Sequence, residues 1–126
     1  MLSKTNILIN LLPLTEETFQ ILNAHTLGLL PKGAKIVNIS RGAVLDSDAL
    51  LILLDSGHIE HAVLDVFEVE PLPRTSQFWS HPKVTVLPHI SAPTNMSLAT
   101  KIVTKNLGNY INNGYIPDTV NTSKGY

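Results

Sequence analysis

Arg41, Glu70 and His89 carry three complementary chemistries, and they stand 29 and 19 positions apart. An Arg can hold a carboxylate through two parallel hydrogen bonds. A His can give a proton to a carbonyl oxygen as a hydride reaches its carbon, or take that proton back. A Glu beside the His favours its protonated form near neutral pH. Together the three suit the reduction of a 2-keto acid. Each also has an ordinary reading: a surface ion pair for Arg41, a solvated loop carboxylate for Glu70, a satisfied structural His for His89. Gly42 beside Arg41 weighs toward function, because Gly lets the backbone turn sharply or approach a ligand. Asp65 falls inside a strand pattern, where Asp is depleted, and needs a partner if buried. His25, His58, His61 and His81 lack such a setting, and Phe78 and Trp79 read as packing or interface residues.

Such residues can meet only if a sheet brings them to one edge. Residues 6–12 (NILINLL) and 34–40 (AKIVNIS) are short apolar runs of buried-strand type. Residues 60–67 (EHAVLDVF) and 83–88 (KVTVLP) give a third and a fourth strand. Between them, Thr15 caps a short helix with Glu16 and Glu17 at its positive end, and Asn23 caps another that stops near Pro31. Asp46 starts a helical run, apolar almost all round at 49–54, that ends with Gly57 at C′ and should be covered on more than one side. A long helix runs from Thr94 to about Asn113, with Ile102, Val103, Leu107, Tyr110 and Ile111 on one stripe and Gly114 as its stop. The tail 116–126 is polar and irregular. Alternating strands and helices imply βαβ units: an α/β fold with a mostly parallel sheet and right-handed crossovers. In such sheets ligands bind beyond the carboxyl ends of the strands. Arg41, Glu70 and His89 each follow a strand. The long loop 69–82 is of a size that tends to be functional.

Composition narrows the field. The chain has 126 residues, no Cys, 44% apolar residues and a formal net charge of −1. A core is expected, and the length is that of one domain. Near-zero net charge removes a general electrostatic case for nucleic acid or an anionic membrane. Without Cys there are no disulfides, thiolate metal sites or Cys nucleophiles. No His/Asp/Glu cluster has metal-ligand spacing, so no metal is expected. No run approaches a membrane span of about 20 residues, and residues 1–6 lack the pattern of a signal peptide, so a cytoplasmic protein is expected.

Four motifs now stand in order: Leu12-Pro13-Leu14-Thr15 with Glu17-Thr18; Asn38-Ile39-Ser40-Arg41-Gly42; Leu64-Asp65-Val66-Phe67-Glu68-Val69-Glu70-Pro71; and Pro88-His89-Ile90-Ser91. Over nearly the whole chain their order and spacing resemble the D-isomer-specific 2-hydroxyacid dehydrogenases. The stretch Gln77-Phe78-Trp79-Ser80-His81-Pro82 and the ending Lys124-Gly125-Tyr126 look most like the glyoxylate/hydroxypyruvate reductase branch. The resemblance implies that Arg41 binds the substrate carboxylate, His89 is the acid/base and Glu70 its partner. It implies that Pro13, Ile39, Asp65 and Ser91 line the cofactor, with Asp65 toward the nicotinamide. It implies NAD or NADP, NADPH being favoured by the branch, a small 2-keto or 2-hydroxy acid as substrate, and a homo-oligomer.

One family feature is absent. Among glycines 28, 33, 42, 57, 108, 114 and 125, no two are spaced by two, so the dinucleotide fingerprint G-x-G-x-x-G does not occur. The resemblance therefore implies the second half of a Rossmann-like doubly wound sheet over residues 1–93. It implies the return helix and tail of a substrate domain over 94–126. Cofactor affinity should fall steeply, down to none bound, because the pyrophosphate lacks its helix N-terminus. The expected function is thus that of a dehydrogenase fragment, inactive alone. The alternative is a non-catalytic interaction module or a pseudogene-derived remnant that self-associates. In either case the strand at 6–12 becomes an open edge. Self-association is therefore expected at micromolar concentration, and a monodisperse monomer in sedimentation would overturn it.

Overall fold

Parallel strands can pair only through crossovers that return the chain to the same end of the sheet. The computed structural model describes residues 1–117 and 119–121 and has this form. Its elements are β1 (Ile7–Asn10), α1 (Ala24–Gly28), β2 (Ala34–Asn38), α2 (Ser47–Asp55), β3 (Ile59–Leu64), β4 (Val84–Val86) and α3 (Met96–Asn113). The chain divides into two units, Met1–Ser91 and Ala92–Tyr126.

In the first unit the strands form one parallel sheet in the order β1-β2-β3-β4. Asn10 pairs with Asn38, Asn38 with Leu64, and Leu64 with Val86, so the four carboxyl ends are flush. A register shift at Ala34/Lys35 passes over Glu60 where β2 meets β3. Ala34 and Ile36 of β2 and Ile59, Ala62 and Leu64 of β3 are buried together with Leu27 of α1 and Leu50 and Leu54 of α2. Full burial of a side chain such as Leu50 contributes about 1.5–3 kcal/mol. The alternate residues Lys35, Val37, His61, Val63 and Thr85 are half-buried or exposed. The core thus lies on one face of the sheet.

Local chemistry explains the helix ends. Asn23 caps α1 through a capping box with Thr26. Asp46 Oδ1 accepts from the Ala49 N–H at 3.0 Å and opens α2. Gly57, at φ +72°, lets the chain leave α2 in the left-handed region. In the second unit the Asn95 side chain accepts from Leu98 N–H, and Gly114 closes α3 at φ +64°. The stripe Ile102, Val103, Leu107, Tyr110 and Ile111 is exposed, and α3 has no buried residue. Asp118 and residues 122–126, with the ending Lys124-Gly125-Tyr126, lie outside the described residues.

The fold is the expected one: four parallel strands of a partial Rossmann-like sheet and a C-terminal helix. Several details differ from the sequence reading. Thr15 opens a turn, not a helix. The Thr18 hydroxyl donates to the Pro13 carbonyl; Gln20 then turns through φ +46°, and the N–H groups of Gln20 and Leu22 donate to the carbonyls of Ala43 and Val44. α1 is a single short turn of five residues. α2 is covered on one side, and Ile52 stays exposed. The strands are shorter than the apolar runs, because each run continues past the ladder into the loop at its carboxyl end. Asp65 accordingly stands just beyond β3, its N–H still donating to the Asn38 carbonyl at 3.0 Å. No described helix is long and apolar enough to cross a membrane.

Gly42 joins two of these loops. A Cβ there would stand 1.9 Å from the Phe67 carbonyl carbon and 2.2 Å from the Glu68 nitrogen. Gly42→Ala should therefore force the two backbones apart and destabilise the chain by about 1–3 kcal/mol or more, read from urea unfolding. An unchanged midpoint would show that the contact can relax freely.

Candidate active site

Flush strand ends place every following residue on one edge, where the chain leaves the ladder and its polar groups need new partners. Buried amides meet part of that need. Asn10 Nδ2 donates to Asn38 Oδ1 at 3.0 Å and to Ser40 Oγ at 2.7 Å. Ser40 N–H donates to Asn38 Oδ1 at 3.3 Å, and Asn38 Nδ2 donates to the Arg41 carbonyl at 3.3 Å. This network shapes the turn at 38–42. Sequence reasoning did not single out Asn10. The signal was there: both NILIN and AKIVN end on Asn, a residue depleted in strands.

Beyond β3 and β4 the acidic and basic groups meet. Glu70 Oε2 lies 2.9 Å from His89 Nδ1, and Glu70 Oε1 accepts from the Phe67 N–H at 2.8 Å. An ionised carboxylate only accepts, so Nδ1 carries the proton of this bond and Nε2 is left for other chemistry. Glu70 is 36% exposed and His89 52%. The His89 bond, then the Phe67 N–H, hold the Glu70 carboxyl below its ordinary value of 4.5, against the opposing effect of burial.

Asp65 is only 2% exposed. Its Oδ1 accepts from Ile90 N–H and its Oδ2 from Ser91 N–H, each at 2.9 Å. Burial pushes its pKa up, but the Ser91 and Ile90 N–H groups, the Ser91 hydroxyl and the nearby His89 outweigh it. The net effect is a value below the ordinary 3.8.

The other candidates are spread along the same edge. Arg41 is exposed, and its Nη1 donates to the Ser40 carbonyl at 2.7 Å. Among the described residues it makes no ion pair with Glu70; Gly42 beside it stands against Phe67 and Glu68 of the loop that carries Glu70. Pro13 is exposed and Ile39 half-buried, following β1 and β2. A cleft of about 460 Å³ opens beside Asp65, Glu70 and His89, with Phe67, Leu72, Trp79, Val86 and Leu87 among its walls. Phe78 is buried against Phe67, with ring centroids 6.0 Å apart. Trp79 is 56% exposed, and its indole N–H donates to the Pro73 carbonyl at 2.9 Å.

Comparison with known proteins decides the relationship. Residues 1–91 match the family of D-isomer specific 2-hydroxyacid dehydrogenases, NAD binding domain. The chain belongs to this family. It is similar to a D-isomer specific 2-hydroxyacid dehydrogenase from Xanthobacter autotrophicus Py2 solved with NADPH and MES. The identity is 40% and the TM-score 0.92, over 99% of this chain and 52% of that one. It is also similar to an NADPH-dependent glyoxylate/hydroxypyruvate reductase from Sinorhizobium meliloti solved with NADP and sulfate. There the identity is 33% and the TM-score 0.92, over 99% of this chain and 41% of that one. A probable 2-hydroxyacid dehydrogenase from Rhizobium etli CFN 42, solved with NADP, HEPES and L(+)-tartaric acid, is 28% identical with a TM-score of 0.87, over 99% of this chain and 41% of that one. This member of the dehydrogenase family therefore spans about half the length of the relatives it matches, or less.

The two depressed carboxyl pKa values link stability to pH. The unfolded chain binds more protons than the folded one between the ordinary values, 3.8 and 4.5, and the lower folded values. Their stabilisation is thus full above the ordinary values and is lost as pH falls through the folded ones. Wild type should lose stability from about pH 5 to about pH 3 more steeply than Asp65→Asn. Glu70→Gln should flatten the curve less, because the more exposed Glu70 is better screened. Parallel curves from circular dichroism would refute this.

Proposed function

We propose that this chain carries the acid–base edge of an NAD(P)-dependent dehydrogenase that interconverts a small 2-keto acid and its 2-hydroxy acid, of the glyoxylate/hydroxypyruvate type. The observation that carries the reading is the 2.9 Å bond between Glu70 and His89 in a cleft at the carboxyl edge of the sheet. With Nδ1 bound to Glu70, His89 presents Nε2 as the proton donor to a keto oxygen. Arg41 is the partner for the substrate carboxylate; among the described residues no acidic side chain is bound to it, which leaves its guanidinium for that role.

The residues present fit the reactive end of a nicotinamide dinucleotide. An apolar-walled cleft with an imidazole at its margin suits a heteroaromatic ring and a small polar acid. Pro13, Ile39, Asp65 and Ser91 would hold that end. When bound, the dinucleotide supplies the hydride that reaches the keto carbon. His89 then gives its proton to the oxygen, and a 2-hydroxy acid results. The grip on the pyrophosphate has to come from elsewhere, because the sequence has no Gly-x-Gly-x-x-Gly turn. NADPH is favoured, since the similar dehydrogenases from Xanthobacter autotrophicus Py2 and Sinorhizobium meliloti were solved with NADPH and NADP. The working form on this reading is a cytoplasmic homo-oligomer.

A second reading, a self-associating module without catalysis, is favoured by the exposed apolar side chains of Ile7 and Ile9 in the edge strand β1 and of Leu11 just past it. NADPH oxidation with glyoxylate and with hydroxypyruvate separates the two. The pure 126-residue chain should show no turnover. A polypeptide extended by the Gly-rich half should turn over, and His89→Ala should lower its kcat by about 10²–10⁴. No turnover in the extended protein, or full turnover after His89→Ala, would defeat the enzymatic reading.

A further inference from the structure

His89 has φ +56°, in the left-handed region that a side chain with a Cβ rarely adopts. Such a conformation persists only when its surroundings hold it. Glu70 reaches the imidazole, but a bond to a ring nitrogen does not set the backbone behind it. The groups that do set it are the next two amides, Ile90 N–H and Ser91 N–H, which point at the two oxygens of Asp65, each at 2.9 Å.

Asp65 is built for this task. Its backbone is tied to the sheet, since its N–H donates to the Asn38 carbonyl at 3.0 Å. Its side chain is buried, so water competes little for its oxygens. A carboxylate offers acceptors only and can take two parallel N–H groups at once. Two consecutive amides aimed at one rigid carboxylate fix the peptide planes that follow His89. The imidazole is then aimed by its backbone and steadied by Glu70, two restraints from different directions.

We infer that Asp65 is a positioning residue: its carboxylate clamps the Ile90 and Ser91 amides and so keeps His89 in the left-handed conformation that delivers its ring to Glu70. The clamp is a matter of geometry; only its consequence for catalysis rests on the acid–base role proposed for His89. An ordinary fold-closing contact would affect global stability and leave the state of the His89 ring alone. The clamp acts on the ring.

The test is nuclear magnetic resonance on the 126-residue chain and its Asp65→Asn variant. Asn keeps the size of the side chain but turns one acceptor into a donor, which faces an N–H. In Asp65→Asn, amide exchange at Ile90 and Ser91 should quicken by about tenfold or more relative to amides of β2 and β3. The imidazole nitrogen shifts of His89 should also move from a protonated Nδ1 toward the averaged values of a free ring. Unchanged local exchange with an unchanged ring overturns the inference, as does a uniform change in exchange with an unchanged ring. Should Asp65→Asn not fold, His89→Gly and His89→Ala read the same clamp from the other side. With the backbone held left-handed, the Gly variant should exceed the Ala variant in folding equilibrium constant by about tenfold. Equal stability, or a more stable Ala variant, overturns it. None of these measurements involves turnover, so a failure of the enzymatic reading would show separately.

Discussion

The parallel ladder ends in a single row, Asn10-Asn38-Leu64-Val86, and much of the structure follows from that row. Strands that all run the same way give a sheet one carboxyl edge. Every loop that leaves the ladder emerges there. Residues as distant in sequence as Ser40, Glu70 and Ser91 are thereby brought to one edge without any of them attracting the others. The helices α1 and α2 do the complementary work. They bury Ile36, Ile59, Ala62 and Leu64 on one face and hold the strands in register.

That edge is also where the polar interior lies. Among the described residues the buried polar side chains are Asn10, Asn38, Ser40 and Asp65, and all four stand at or just past the strand ends. Elsewhere the backbone satisfies itself mostly through the ladder and the helices, with Asn23, Asp46 and Asn95 capping helix starts. At the edge it cannot, so side chains substitute: Asn10 and Asn38 for the 38–42 turn, Asp65 for the amides after His89. Burying these groups would be costly if any lost its partner. The tolerance of strain at His89, and of near contact at Gly42 with Phe67, has the same origin. A site that must hold groups at fixed positions spends stability that the apolar core supplies.

Much of this was legible in the residues. Apolar runs marked the four strands; Asn23, Asp46, Gly57 and Gly114 marked helix ends, through caps that act within a few residues. The convergence of a Glu and a His past neighbouring strands was legible too, and the structure gives the pair a hydrogen bond. Less legible was whatever depended on distant backbone. Thr15 with Glu16 and Glu17 reads as a helix start, yet the segment turns instead, because the Gln20 and Leu22 N–H groups are drawn to the carbonyls of Ala43 and Val44, and Leu22 bridges Leu45. Phe78 and Trp79 read alike, yet one fills the core and the other stands in the cleft wall. Adjacent residues in an irregular loop have no period to sort them.

The sequence by itself determined the order of the four strands, the helices that follow Asn23, Asp46 and Asn95, the residue types at each strand end and the absence of a Gly-rich phosphate turn. These are local properties, set by side-chain size, β-branching and hydrogen-bonding groups a few positions apart. Tertiary structure alone decided which atoms those residues face. It turned Asp65, an odd acidic residue in an apparent strand, into the acceptor for two amides 25 and 26 positions away. It set Glu70 on the Nδ1 side of His89, and it left the guanidinium of Arg41 without an acidic partner among the described residues. Hydrogen bonds are short and directional, so their partners are chosen only once packing has fixed where each backbone lies.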